Sequence, residues 1–133
     1  MKRALWKMPV PSTSLTRGPR FAALWKRDCE LSFYVEADGG DSKFGIMFSG
    51  VEAYKCTYMT ALSVEMINAA YDMLVQIEDS PWLAEVKRNG ASYYANRPAT
   101  LNDMRHLMIC FDDGPCYEVV CTGFELVGGS LEE

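Results

Sequence analysis

Apolar and polar positions alternate over residues 29–37, so the sequence predicts a half-buried strand of an antiparallel sheet there. The odd-numbered residues are apolar and face one way, whereas the opposite side carries Glu30, Tyr34 and Glu36. The turn residues 38–41 follow, and a second apolar run begins after them. We predict a hairpin with a four-residue loop, which pairs Val35 with Phe44, Phe33 with Ile46 and Leu31 with Phe48.

A second hairpin is predicted over residues 105–126, where two apolar runs flank an Asp-Asp-Gly-Pro turn at 112–115. Apolar residues of both runs fall at odd numbers: Leu107, Ile109, Phe111, Tyr117, Val119 and Cys121. Both runs meet one core only if odd positions pair with odd ones, which requires a loop of three or five residues. A three-residue loop would leave Pro115 in the ladder without an N–H group. The sequence therefore favours a five-residue loop, 112–116, which pairs Phe111 with Tyr117 and Ile109 with Val119.

The hydrophobic period changes over residues 62–77, where apolar side chains recur every three or four positions. This spacing predicts one long amphipathic helix packed on a sheet. Its buried stripe is predicted to contain Val64, Ile67, Tyr71 and Leu74. Side-chain oxygens that can accept from the first helical N–H groups place its N-cap at Thr60 or Ser63.

A shorter helix is predicted directly after Ser80, with Pro81 at its first position, where no N–H donor is needed. Gly90 is predicted to end this helix as a left-handed residue. We expect residues 91–104 to form a loop, and residues 51–59 to form a further strand before the long helix.

These elements predict an α+β protein, with an antiparallel β-sheet of about five strands and one long and one short helix packed on one face. We predict a basic, proline-containing N-terminal arm at residues 1–28, a single α+β domain at 29–127 and a frayed tail at 128–133. Extended chain in the arm is favoured by its prolines, Pro9, Pro11 and Pro19. We expect Trp6 to anchor the arm on the domain.

Charge is distributed unevenly in this chain of 133 residues, whose net charge is −5. Residues 1–27 carry seven basic and no acidic side chains, whereas the rest carries six basic and eighteen acidic ones. The acidic part would repel nucleic acid, so we expect a basic protein partner or self-association instead. The sequence has no apolar run of membrane-spanning length and no secretory signal pattern, which predicts no membrane contact and a cytoplasmic location.

Residues with catalytic or metal-binding potential do not form a recognisable site in the sequence. His106 and Cys110 share a strand face but lie about 13 Å apart at roughly 3.3 Å per residue, so they cannot form a nucleophilic pair. The five cysteines fit neither a disulfide framework nor a zinc site, and Cys110 and Cys121 point to opposite faces. We therefore predict reduced, buried thiols, no catalytic residue, no cofactor and no bound metal.

Exposed aromatic and acidic residues are the better candidates for binding. Tyrosines beside carboxylates suit a protein-binding surface, and we assign this role to Glu30, Tyr34, Glu36, Tyr93 and Tyr94. The sequence favours a small non-enzymatic protein-binding module, comparable in class to bacterial immunity proteins and antitoxins. The alternative is a small-molecule-binding or enzymatic α+β domain with a pocket between helix and sheet, lined by Tyr58, Met66, Tyr71 and Met73.

Overall fold

The computed structural model describes residues 2–8, 19–37, 40–111 and 115–128, with side chains described except at 35–37, 40–42 and 128. Within these ranges the chain forms nine strands and three α-helices. In chain order they are β1 (Lys2–Lys7), β2 (Arg20–Ala23), β3 (Cys29–Ala37), β4 (Gly40–Ser49), β5 (Ala53–Thr57), α1 (Val64–Ala70), β6 (Met73–Ile77), α2 (Pro81–Gly90), α3 (Pro98–Asp103), β7 (Arg105–Cys110), β8 (Cys116–Cys121) and β9 (Gly123–Gly128).

The strands form two antiparallel sheets, one of five strands in the order β1-β6-β7-β8-β5 and one of four in the order β2-β3-β4-β9. The predicted α+β class with antiparallel pairing is confirmed. The prediction of a single sheet is wrong, because the alternating segment 29–37 and its hairpin partner belong to a second sheet that packs on the first. The main core lies between the two sheets and contains Leu31, Phe33, Ile46, Phe48, Leu107, Ile109 and Val119, each at most 2% exposed.

The three helices cover the other face of the five-stranded sheet. Ala70 and Met66 of α1 pack over Val75 and Met108, while the side chains around α2 and α3 pack over Val120. Strands β7 and β8 are consequently buried on both faces. The odd-numbered side chains of the β7–β8 hairpin meet the main core, as the alternation predicts.

The predicted long helix at 62–77 is wrong. Helix α1 ends at Ala70, Asp72 adopts a left-handed φ of 51°, and residues 73–77 form β6. Strand β6 lies between β1 and β7 and pairs with both, with Leu74 facing the main core and Val75 facing α1. A strand buried on both faces has an apolar run that a helical period also fits, so only the pairing distinguishes the two structures.

Both hairpins are tighter than predicted, by two residues each. In the β3–β4 hairpin, Phe33 pairs with Phe44, and the last pair is Ala37 with Gly40, so only residues 38 and 39 separate the strands. Two-residue connections best match the twist of paired strands, and the extra pairing extends the ladder. The predicted four-residue loop is therefore wrong, although a shift of two leaves every side chain on its predicted face.

The β7–β8 hairpin has the register of the rejected three-residue loop, with Ile109 opposite Tyr117. The Phe111 N–H donates to the Pro115 carbonyl over 3.3 Å. Proline lacks a donor but keeps its acceptor, and this rung needs only the acceptor. The predicted five-residue loop is therefore wrong, because it treated the missing donor as excluding Pro115 from the ladder altogether. The turn residues 112–114 lie outside the described residues.

The predicted helix starts are confirmed, but the predicted end of α2 is not. Ser63 accepts from the Met66 N–H and Ser80 from the Leu83 N–H. Gly90 is the last residue of α2 and the right-handed Ala91 caps it, so Gly90 does not serve as a left-handed stop. The segment predicted as a loop at 91–104 contains helix α3, which begins at Pro98. Proline suits a first helical turn for the same reason as in α2.

The N-terminal residues contribute strands to both sheets. Strand β1 pairs with β6, and β2 pairs with β3. The ring of Trp6 lies 6.1 Å from that of Phe33 and 5.7 Å from that of Phe44, which confirms the expected anchoring. The segment predicted to be an arm is thus built into the two sheets where it is described. The domain boundaries at 28 and 127 stay predictions, and residues 9–18 and 129–133 lie outside the described residues.

Two chain crossings join the sheets at one corner. Strand β4 continues into β5 through Gly50, and β8 continues into β9 through Thr122. The Thr122 N–H donates to the Ser49 carbonyl over 3.1 Å, which holds the crossings together. Gly50 has a φ of 62°, and a Cβ atom on it would lie 2.2 Å from the Thr122 Oγ1 atom. The corner therefore requires glycine for both its backbone conformation and its close approach.

We predict that Gly50→Ala lowers the free energy of unfolding by about 1–3 kcal/mol, because Ala is strained at this φ and its methyl group meets Thr122. Urea unfolding followed by circular dichroism measures the change. Gly90→Ala is the control, since its Cβ would make only ordinary contact with the Tyr94 ring at 3.5 Å. That variant should be as stable as the wild type or more so; equal loss in both variants would contradict the special role of Gly50.

Candidate functional site

Three buried polar side chains form a hydrogen-bonded chain on the helix-covered face of the five-stranded sheet. The Ser80 Oγ atom lies 2.7 Å from Nδ1 of His106, and His106 Nε2 lies 2.8 Å from Oε1 of Glu118. The three residues are 6%, 6% and 7% exposed. Side chains with this chemistry are seldom buried without a partner, and here each partners the next.

Strand register and helix capping bring these three residues together. His106 on β7 pairs with Val120 and Met108 pairs with Glu118, so His106 and Glu118 are diagonal neighbours on one face. Ser80 joins them from the N-terminus of α2, where its Oγ also accepts from the Leu83 N–H over 3.0 Å. The chain therefore ties the start of α2 to the middle of the sheet. The indole of Trp82 packs edge-on against the imidazole at 5.0 Å.

The protonation of the chain follows from its geometry. The hydrogen bond from His106 lowers the pKa of Glu118, Lys55 lowers it further, and burial opposes both effects. An ionised Glu118 can only accept, so Nε2 of His106 carries the proton and donates to it. The other ring nitrogen, Nδ1, has the Ser80 hydroxyl as its partner.

A groove of about 490 Å³ opens between α1 and the sheet, above His106 and Glu118. Its walls are mainly apolar and include Met66, Ala69, Ile77 and Met108. Glu65 and Lys55 line it as well, and the Lys55 ammonium lies 4.3 Å from the centre of the Trp82 ring. An apolar groove with a few polar groups at its floor is typical of small-ligand sites. Of the predicted pocket residues it includes Met66, whereas Tyr58 and Tyr71 are exposed.

The order serine, histidine, carboxylate resembles that of a hydrolytic triad. The contacts instead favour a role in which Ser80 and His106 hold the Glu118 carboxylate in position. Ser80 is almost inaccessible, and its oxygen is already engaged with Leu83 and His106. The Ser80–His106–Glu118 hydrogen-bonded chain presents the ionised Glu118 carboxylate to the groove, which suits binding of a hydrogen-bond donor or cation.

A second feature is the turn between β2 and β3, residues 24–28, which exposes Trp25. The Trp25 side chain is 81% exposed, while Lys26 and Arg27 adopt left-handed φ values of 64° and 72°. Two backbone hydrogen bonds fix the turn, from Leu24 N–H to the Asp28 carbonyl and from Val51 N–H to the Arg27 carbonyl, at 2.7 and 2.9 Å. Consecutive left-handed residues other than glycine are strained and persist only where surrounding contacts hold them.

The Arg27 side chain supplies those contacts. Its guanidinium donates to the Glu52 carboxylate and, over 2.7 Å, to the Tyr94 hydroxyl, which itself donates to Glu52. We call Arg27, Glu52 and Tyr94 the clamp. The negative charge of Glu52 raises the pKa of Arg27, and the hydrogen bond to Glu52 raises the pKa of Tyr94, so the clamp keeps both groups protonated. Arg97 extends the cluster by lying over the rings of Tyr93 and Tyr94, at 5.5 and 5.4 Å.

The structure places the binding residues predicted from the sequence on strand β3 and in the turn after α2. Glu30 and Tyr34 lie half-buried on the outer face of β3, and the Glu36 side chain lies outside the described residues. Tyr93 is 66% exposed in the turn after α2, whereas Tyr94 is only 5% exposed. The assignment of Tyr94 as an exposed residue is wrong, because its hydroxyl reaches inward to Arg27 and Glu52.

Sequence reasoning missed the Ser80–His106–Glu118 chain and the exposed Trp25. One signal was present: Glu118 is the only charged residue within β8 and has the same parity as His106. The link between His106 and Ser80, which lie far apart in the sequence, had no signal. The predicted burial of the thiols is correct except for Cys56, which is exposed. Cys110 and Cys121 do lie on opposite faces, in different clusters.

Comparison with protein-family models, with curated proteins and with solved structures found no match. Among the described residues no helix has the length and apolar character to cross a membrane. Over the same residues, no three histidine, cysteine or acidic side chains are grouped so as to hold a metal ion.

The Ser80 contacts predict a specific difference between two serine caps. Ser80→Ala should cost about 1 kcal/mol for the lost cap, and a further 1–3 kcal/mol or so for the unpaired nitrogen of buried His106. Ser63→Ala is the matched control, since Ser63 caps the exposed start of α1 and should cost only about 1 kcal/mol. Urea unfolding of both variants measures the difference. Equal losses would show that the bond from Ser80 to His106 contributes nothing to stability.

Proposed function

We propose that the protein is a non-enzymatic protein-binding module whose anchor is Trp25. The observation that carries this proposal is an 81% exposed tryptophan on a turn that is strained and held in place. Tryptophan is the residue type most enriched at the energetic centres of protein interfaces. An isolated exposed tryptophan has no stabilising role of its own. The contacts that hold its strained turn in place therefore point to a binding partner.

The clamp around Arg27 supports this proposal on energetic grounds. Binding through a mobile loop loses ordering free energy, whereas a turn fixed by Glu52, Tyr94 and the Val51 N–H has already been ordered on folding. Tyr93 lies close enough to influence Arg27 and is exposed, so it would form the rim around Trp25. Trp25, Tyr93 and Arg97 all belong to residue types that are enriched at protein interfaces.

Charge supports a basic partner with an apolar pocket. At the turn itself Lys26 and Arg27 are balanced by Asp28 and Glu52, while residues 28–133 as a whole are strongly acidic. Long-range attraction would therefore favour a positively charged protein, and Trp25 would fill its pocket. Capture of a basic toxin by an immunity-like protein is one role of this class. A cytoplasmic location fits it, since all five cysteines are free thiols.

The test is immobilised wild-type protein, compared with Trp25→Ala, in an extract of the source cell. We expect a basic protein that the wild type retains and Trp25→Ala loses; calorimetry on the purified pair should show a loss of about 2 kcal/mol or more. The affinity of the wild-type protein for this basic partner should also fall as the salt concentration is raised. Tyr58→Ala is the matched control, because Tyr58 is 70% exposed at the end of β5 and lies outside the proposed surface.

Two outcomes would contradict this assignment. Retention of the same proteins by Trp25→Ala and wild type would remove Trp25 as the anchor. Light scattering that shows a wild-type dimer, abolished in Trp25→Ala, would identify the partner as a second copy instead of a basic protein.

The groove beside α1 favours a second candidate function, the binding of a small amphipathic cation. Glu118 and Glu65 line this groove with apolar walls between them, and the Lys55 ammonium lies over the Trp82 ring. An ammonium group would be attracted to Glu118 while its carbon chain packs on Met66 and Met108.

We predict that hexylamine shifts the amide resonances of groove residues in NMR titrations, whereas hexanoate, with a chain of equal length and the opposite charge, does not. Glu118→Gln keeps an acceptor for His106 but removes the charge, and should weaken hexylamine binding about tenfold, or roughly 1.4 kcal/mol. Equal shifts with both compounds would reduce the groove to a nonspecific apolar surface.

A further inference from the structure

Cys110 and Cys116 lie directly opposite each other, at the end of β7 and the start of β8. The Cys110 carbonyl accepts from the Asp72 N–H over 2.7 Å, on the side of Cys110 away from β8. The next rung, Phe111 with Pro115, carries the hydrogen bond between the strands. Cys110 and Cys116 are therefore a non-hydrogen-bonded pair, in which the Cα atoms are about 4.5 Å apart and the side chains are closest. A disulfide spans Cα separations of about 4.4–6.8 Å.

The two thiols also share one environment. Both belong to the cluster under α1, with exposures of 1% and 0%, and they are in hydrogen-bonding contact. That contact and burial raise the pKa of Cys116, so the closed fold keeps it as an unreactive thiol. Reaction therefore requires the strands to separate locally.

Local separation is easiest at this end of the hairpin. An ordinary hydrogen-bonded pair exchanges two bonds, but the rung of Phe111 and Pro115 has only one, because proline has no N–H group. It is the rung between the cysteine pair and the turn. Segments with fewer hydrogen bonds open at lower free energy than the global fold, so the cysteine pair lies beside the weak end of the ladder.

We propose that Cys110 and Cys116 form a dithiol site that reacts with low-molecular-weight disulfides and closes into an intramolecular disulfide. One cysteine, as a thiolate, attacks the small disulfide, whose sulfur–sulfur bond breaks and releases one small thiol after protonation. The second cysteine, also as a thiolate, attacks the protein sulfur of the mixed disulfide and releases the second small thiol. The protein loses two protons and two electrons, and the small disulfide is reduced to two thiols.

The reaction would be sensed at the groove. The Cys110 thiol donates to the Met66 carbonyl of α1 over 3.5 Å, and Met66 lines the groove. Oxidation removes the donor, so α1 loses one of its contacts with the sheet. The site therefore couples the thiol redox state of the surroundings to the packing of α1 on β7 and β8.

The experiment exposes the folded wild-type protein to oxidised glutathione, then denatures it and alkylates the remaining thiols with iodoacetamide. Mass spectrometry should find Cys110 and Cys116 unalkylated, no retained glutathione on the pair, and a peptide cross-link between them, whatever the state of the exposed Cys56. Dithiothreitol should restore alkylation of all five cysteines. Low urea should accelerate the reaction, because it favours opening of the strands.

Variants separate this site from the other thiols. Cys110→Ala and Cys116→Ala should each abolish the cross-link, while Cys121→Ala, buried on the opposite face, and Cys56→Ala, at the exposed thiol, should keep it. Alkylated Cys110 and Cys116 after treatment in low urea would overturn the proposal. So would a cross-link that uses another cysteine, or glutathione retained on Cys110 or Cys116. The cross-link map of the wild type decides the question even where a core variant fails to fold.

Discussion

The burial of β7 and β8 on both faces is the constraint on which the rest of the structure depends. One face of this hairpin meets the second sheet and the other meets α1, α2 and α3. Every even-numbered side chain of the hairpin must therefore be apolar or have a partner inside the protein. His106 and Glu118 are the polar exceptions, and they are paired with each other. The facing thiols of Cys110 and Cys116 follow from the same constraint, since small, weakly polar groups fit under α1.

The buried polar chain has consequences for how the helices lie. A histidine and a carboxylate in the interior lose their hydration, and only complete hydrogen bonding offsets that cost. Ser80 completes the chain and caps α2 with the same oxygen, so the position of α2 is tied to β7. Helix α1 is placed separately, by packing on Val75 and Met108. The groove opens beside α1, and its floor is the pair that Ser80 positions.

The corner between the sheets also fixes the exposed turn that carries Trp25. Gly50 allows β4 to cross into the other sheet, and the two residues after it, Val51 and Glu52, both hold Arg27. The strained turn that carries Trp25 is thus supported by the same crossing that joins the sheets. The fixed turn with its exposed tryptophan and the tight crossing between the sheets therefore depend on one local geometry.

The sequence by itself determined the local features whose signals are short-ranged. Alternation located β3 and the inward faces of both hairpins, and the serines before α1 and α2 marked where these helices begin. Tertiary structure alone decided that residues 73–77 are a strand, because a segment buried on both faces has no distinguishing period. It also decided the registers, the second sheet and the partners of His106. Those depend on contacts between residues far apart in the chain, which no local pattern encodes.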